Sequence, residues 1–193
     1  MKKLNIKEYD KNGNIINELI NGKGYMNEYN NNNIKTFEEE YINGLPNGKG
    51  KEYYVNGNLK FEGEYLNGLK HGKGKLYFES GDLSFEVEFL YNQPMKGKCY
   101  INKRLEYEGE FLYIRKCNGK GYDEQGNIIY ELINGTGKVN EYLYDNEKLY
   151  FDGEYKDGIM NGKGKSYFDN GNLLYEGEYL NGIPNGKGKK LFR

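Results

Sequence analysis

Tryptophan is missing from this chain of 193 residues, histidine occurs once, cysteine twice and proline three times. Two cysteines, Cys99 and Cys117, are too few for a disulfide framework and point to a reducing compartment. The lone His71 stands between Lys70 and Gly72–Lys73. Those neighbours supply neither the nucleophile nor the orienting partner that a catalytic histidine needs. No apolar run approaches the length of a membrane span. The opening MKKLNIKEYD lacks the apolar stretch that follows the basic residues of a secretory signal, so the expected location is cytoplasmic. An excess of one charge is also missing. Lys and Arg number 28 against 29 Asp and Glu, for a net charge of −1, and the isoelectric point is near 6.0. That balance lacks the basic footprint of a nucleic-acid binder.

What the chain does have is 28 Gly, 21 Tyr and 9 Phe. The mean hydropathy of −0.97 is low, so most of the apolar area on offer is aromatic, and tyrosine brings a polar tip to the edge of a core. The aromatics recur. Similar phrases open at Phe37, Phe61, Phe85, Tyr107, Phe151 and Tyr175, at spacings of 24, 24, 22, 44 and 24 residues. A second similarity joins YDKNGNIINELINGKG (Tyr9–Gly24) to YDEQGNIIYELINGTG (Tyr122–Gly137). These stretches keep an Asn-Gly turn but lack four residues of the longer loop. Duplication of a block of several units explains both periods. The whole chain, 1–193, reads as one array. Its short units lie at about 9–36 and 122–150, and its longer ones at about 37–60, 61–84, 85–106, 107–121, 151–174 and 175–193.

Each unit reads as a β-hairpin. In FEGEYL the residues Phe61, Gly63 and Tyr65 share one face, and Glu62, Glu64 and Leu66 the other. NGLKHG supplies residues that accept positive φ, and KGKLYFESG alternates again. Glycine every few residues weighs against helix, so the chain is expected to be all-β, with short antiparallel strands. With a four-residue loop at Asn67–Lys70, Glu62 faces Lys75, Glu64 faces Lys73, Gly63 faces Gly74 and Tyr65 covers Gly72. A hairpin alone is marginal in water. Stacked hairpins bury their aromatics against neighbours and share stability along the array. The stripe Tyr41, Phe61, Tyr65, Phe85, Phe89, Tyr107, Phe111, Phe151, Tyr155, Tyr175 and Tyr179 is therefore either the core of the fold or, in part, the lining of a groove for a partner. Large exposed apolar patches mark interaction sites.

The phrase Phe/Tyr-Glu-Gly-Glu-Tyr/Phe, then Asn-Gly, then Asn/His-Gly-Lys-Gly, closely resembles the MORN (membrane occupation and recognition nexus) repeat. Phe61–Ser84 is the best unit, with Gly63, Glu64, Gly68, His71, Gly72 and Gly74 in place. The resemblance implies an elongated, twisted, single-layer antiparallel sheet of stacked hairpins, solenoid-like, with a long groove. It implies a scaffold for partner proteins or peptides, at times self-associating, with a debated link to phospholipid membranes, and no catalysis. Val87 in place of the glycine, and the odd loop LYIRKCNGKG, mark the units at Phe85 and Tyr107 as irregular, and specificity is expected between Phe85 and Gly121.

The lysine rows (Lys49/Lys51, Lys73/Lys75, Lys163/Lys165, Lys187/Lys189) suit anionic lipid, but Glu62/Glu64 and Glu176/Glu178 beside them cancel the field. His71 falls where other units have Asn47, Asn161 and Asn185 and reads as a turn residue. The Glu-x-Glu pairs recur in unit after unit beside lysines, which argues against a single metal or acid–base site. Gly-Lys-Gly lacks the GxxxxGK[ST] of a phosphate loop. The expectation is a non-enzymatic scaffold without cofactor, catalytic residues or metal, and with a protein or peptide partner. The alternatives are a membrane tether and a bacterial or phage regulator or immunity-type inhibitor. Carbohydrate binding is disfavoured by the missing tryptophan. A homodimer through open sheet edges is a further expectation, which Lys189, Lys190 and Arg193 at the last strand discourage.

Overall fold

The computed structural model describes residues 4–143 and 148–191. Arg193, and residues 144–147 of the second short unit, lie outside the described residues. Among those described there is no helix. By internal contacts the chain divides into two units, residues 1–93 and 94–193.

The first unit holds β1 (Ile6–Tyr9), β2 (Ile15–Ile20), β3 (Lys23–Tyr29), β4 (Lys35–Ile42), β5 (Leu45–Tyr53), β6 (Leu59–Leu66), β7 (Leu69–Tyr77) and β8 (Leu83–Leu90). The second holds β9 (Gln93–Ile101), which opens at the boundary, then β10 (Arg104–Leu112), β11 (Arg115–Tyr122), β12 (Ile128–Leu132), β13 (Gly137–Tyr142), β14 (Leu149–Lys156), β15 (Ile159–Tyr167), β16 (Leu173–Leu180) and β17 (Ile183–Lys190). Within each unit the strands pair antiparallel with their neighbours in chain order, except that β12 and β13 belong to separate sheets, and the sheets are open rather than closed into a barrel. The expected all-β stack of hairpins is what the chain forms.

The hairpin at Phe61 shows how the phrase folds. Asn67 and Gly68 both take positive φ (51° and 83°), which makes a two-residue turn whose twist matches the strands it joins. Leu66 pairs with Leu69, and Tyr65 with Lys70. The register then shifts, and beyond it Gly63 pairs with Gly74 and Glu62 with Lys75. The single Glu64 thus lies across from His71, Gly72 and Lys73. The expected four-residue loop is replaced by a tight turn and a wide bulge, because Asn-Gly alone closes the hairpin and the bulge absorbs the two surplus residues. Gly72 has φ +75°, and the Glu64 carboxylate fills the place a side chain there would need. In the matching hairpins the carboxylates of Glu40 and Glu154 accept the bulge N–H of Lys49 (3.2 Å) and Lys163 (3.1 Å).

The bulge changes two expected pairs. Glu64 pairs with Lys49 of the preceding strand, and Lys73 with Glu88 of the following one. Tyr65 lies opposite Gly48 rather than Gly72. Likewise Glu178 lies opposite Asn185, while Glu176 keeps Lys189. The short hairpin of β2 and β3 has the same turn, Asn21-Gly22, and its ladder runs without a shift. Of the four residues it lacks, two lengthen the ladder of the longer hairpins and two are the surplus held in the bulge.

Glycines in register open a trough that rings fill. A Cβ on Gly74 would come within 2.7 Å of the Phe61 ring and 3.1 Å of the Phe89 ring. Phe61 meets Tyr65 and Phe89 edge to face at 5.5 and 5.6 Å, and Phe151 meets Tyr179 at 5.2 Å. Such contacts add about 0.5–1.5 kcal/mol each beyond their burial. In the second unit, Leu132 and Val139 fill the short hairpin's share of the core. At the irregular position, Val87 pairs with Gly74 and is buried. Gly74, with no side chain across the pair, leaves room for its methyls.

Candidate functional site

Nine of the eleven stripe residues are buried: Phe61, Tyr65, Phe89, Tyr107, Phe111, Phe151, Tyr155, Tyr175 and Tyr179. Tyr41 and Phe85 are half-buried, and beside Tyr41 on the same strand Phe37 is exposed. The stripe is thus closed along most of its length and opens at β4. A cavity of about 300 Å³ lies there, walled by Phe37, Glu39, Glu52, Tyr65 and Lys70 among others.

The polar groups in this opening occupy positions that are apolar or empty in several other repeats. Glu39 holds the place of Gly63, pairing with Gly50 as Gly63 pairs with Gly74. Glu52 pairs with Phe61 as Leu76 does with Phe85. Lys70 pairs with Tyr65, where Pro46 and Pro184 pair with Tyr41 and Tyr179. Lys70 forms an ion pair with Glu52 and lies 4.7 Å from the centre of the Phe61 ring, a cation–π contact. The Tyr65 hydroxyl donates to Glu52 Oε1 at 2.6 Å. Burial opposes the charge of Glu52, but the bonds from Lys70 and Tyr65 hold its carboxyl below the ordinary value. At Glu39, burial and then the charge of Glu52 push the carboxyl up to about 7, outweighing the Tyr65 hydroxyl and the Lys70 charge, which favour the ionised form.

The second unit carries a related cluster. The Lys116 ammonium donates to Glu106 (2.7 Å), to the Tyr130 hydroxyl (3.1 Å) and to Glu141 (3.4 Å). Tyr155 donates to Glu141 at 2.7 Å, and the Cys99 thiol to Glu106 at 3.1 Å. Burial disfavours the charge on Lys116, yet Glu106, Tyr130 and Glu141 hold it well above its ordinary value. Burial and then Glu106 push the Cys99 thiol up as well. A locked ammonium and a protonated thiol are poor nucleophiles. The chemistry of this cluster is cohesion. Among the described residues, no group of three or more His, Cys, Asp or Glu is placed to hold a metal ion.

Reading the sequence for motifs missed Glu39, Glu52, Lys70, Glu106, Lys116 and Glu141. A repeat-against-repeat alignment carries the signal for several of them, since an acid replaces a core glycine at 39 and a lysine replaces Pro or Met at 70 and 116. His71 lies in the bulge rather than the turn, with its ring 5.1 Å from that of Tyr91 and its Nδ1 buried without a partner. The other face is charged. Lys75 and Lys165 reach Glu86 and Glu176 at 3.6 and 3.1 Å, exposed pairs of little individual worth.

Hairpins with a glycine-spaced aromatic core, stacked in open sheets, define a hairpin-repeat protein. The MORN repeat family model matches residues 40–59, 61–83, 151–173 and 175–193, and the chain is a MORN repeat protein. Repeats of this family are in general modules that interact with proteins or membranes, typically without catalysis. No curated protein gives a significant match to the chain.

Proposed function

We propose that the chain is a non-enzymatic scaffold that holds a partner protein or peptide against its aromatic face, at the opening bounded by β4, β5 and β6. One observation carries this reading: a stripe that is closed over most of its rings opens at β4, where Phe37 is exposed and walls a cavity of about 300 Å³. The cavity is lined mainly by polar groups, with Phe37 and Pro46 at its apolar edge, a make-up that suits a protein segment carrying polar side chains. The Glu52–Lys70 pair and Glu39 supply the polar groups. The lysine rows offer less to a membrane, because cross-strand carboxylates such as Glu86 and Glu176 already face them.

Affinity capture with the full chain, followed by chemical crosslinking and peptide mapping, tests the reading. Crosslinks from a captured protein to β3–β6 support it. Crosslinks confined to residues near the two termini contradict it.

A further inference from the structure

The turn between β10 and β11 departs from the rest of the array. In the hairpins at Phe37, Phe61 and Tyr175 the two turn residues are Asn43-Gly44, Asn67-Gly68 and Asn181-Gly182, all at positive φ. Between β10 and β11 the same backbone is made by Tyr113 (φ 50°) and Ile114 (φ 63°). A β-branched residue at positive φ is a steric outlier. Neither side chain gains burial in exchange, since Tyr113 and Ile114 are each 73 % exposed and Leu112 beside them is 55 % exposed. Tyr91, in another turn that departs from Asn-Gly, at least packs its ring against His71. The Tyr113–Ile114 tip strains the backbone and exposes apolar surface together, and strain of this kind gathers where a structure does work.

We propose that Leu112–Ile114 is an insertion element that docks into an apolar cleft of a partner protein. Arg115 is exposed next to the tip, so the fitting cleft carries a carboxylate at its rim. This surface belongs to the second unit. It rests on the reading of the chain as a protein-binding scaffold but does not depend on the opening at β4.

The test places the photo-crosslinker benzoylphenylalanine at position 113 of the full chain, with position 55 as control, since Val55 is also exposed at a turn. Adducts formed in cells are identified by mass spectrometry and their sites located on the partner. The expected result is one dominant adduct at 113, absent at 55, whose site lies in an apolar cleft with an acidic rim. The variant Tyr113→Asn/Ile114→Gly restores the turn of the other hairpins. It is expected to raise Tm by about 3 °C and to weaken Kd for that partner at least tenfold. No adduct beyond the control, an adduct on a polar surface, or a Kd within twofold of wild type overturns the proposal. If Phe37→Lys abolishes binding while the tip variant binds normally, the opening at β4 stands and the insertion element falls.

Discussion

Glu39 takes the column that Gly63 holds in the next repeat, and its carboxyl is raised to about 7 from an ordinary 4.5 by burial and by Glu52. A raised acid is held neutral by the fold. Its contribution is fully present below pH 4.5, and stability falls as pH rises from there to about 7, where the native carboxyl also ionises. The shift corresponds to a loss of up to about 3 kcal/mol across that window. Glu39→Gln keeps the shape and removes the titration. Urea unfolding between pH 4.5 and 8 is expected to show a flatter profile for this variant and higher stability at pH 8; an unchanged slope contradicts the assignment. Lys116 poses the opposite case. Lys116→Met installs the side chain that Met160 provides at the matching register position, but it leaves the buried Glu106 and the half-buried Glu141 without their cation. A loss of about 3–5 kcal/mol is expected, measured by denaturant titration, and Glu106→Gln in the same chain should recover part of it.

At the scale of the hairpin, the glycine columns decide what packs. A Cβ on Gly63 would stand 2.7 Å from the Gly74 Cα and 2.8 Å from the Lys73 carbonyl oxygen, both backbone atoms that cannot swing aside. Gly63→Ala is therefore expected to cost about 1–3 kcal/mol, and thermal unfolding checks it. Much of the hairpin was legible in the order of residues. The alternation of Phe61, Gly63 and Tyr65 marks one face of a strand, and Asn67-Gly68 marks a turn. The bulge was not legible. His71, Gly72 and Lys73 look like loop because Gly72 suits a turn, and only the pairing of Tyr65 with Lys70 shows that the loop has already ended. The placement of charges followed that error: Glu64 and Lys73 look like partners within one hairpin but pair with strands on either side.

Across the whole molecule, the repeat and its family were readable because the same glycines return at fixed offsets, and stability in such arrays comes from neighbour packing on neighbour. The candidate opening was harder to see. Aromatic residues recur at regular positions in the long units, and nothing in Phe37 or Tyr41 taken alone says that these are less covered than Phe61 and Tyr65. That difference arises from what lies beside them: a carboxylate at Glu39 where other repeats have glycine, and a short hairpin on the preceding side in which Met26 pairs with Glu39. The half-buried cations were equally hidden, since Lys70 and Lys116 sit among many exposed lysines and only their pairing with buried Glu52 and Glu106 distinguishes them. We propose that this opening holds a protein partner. That claim is tested most directly by the Kd of the captured partner, measured by isothermal titration calorimetry with the wild-type chain and with Phe37→Lys, a change at an exposed position that leaves the buried stripe intact. The account predicts a loss of at least about tenfold, as expected when a charge replaces an apolar anchor at the centre of an interface; equal affinity for the two chains would contradict it.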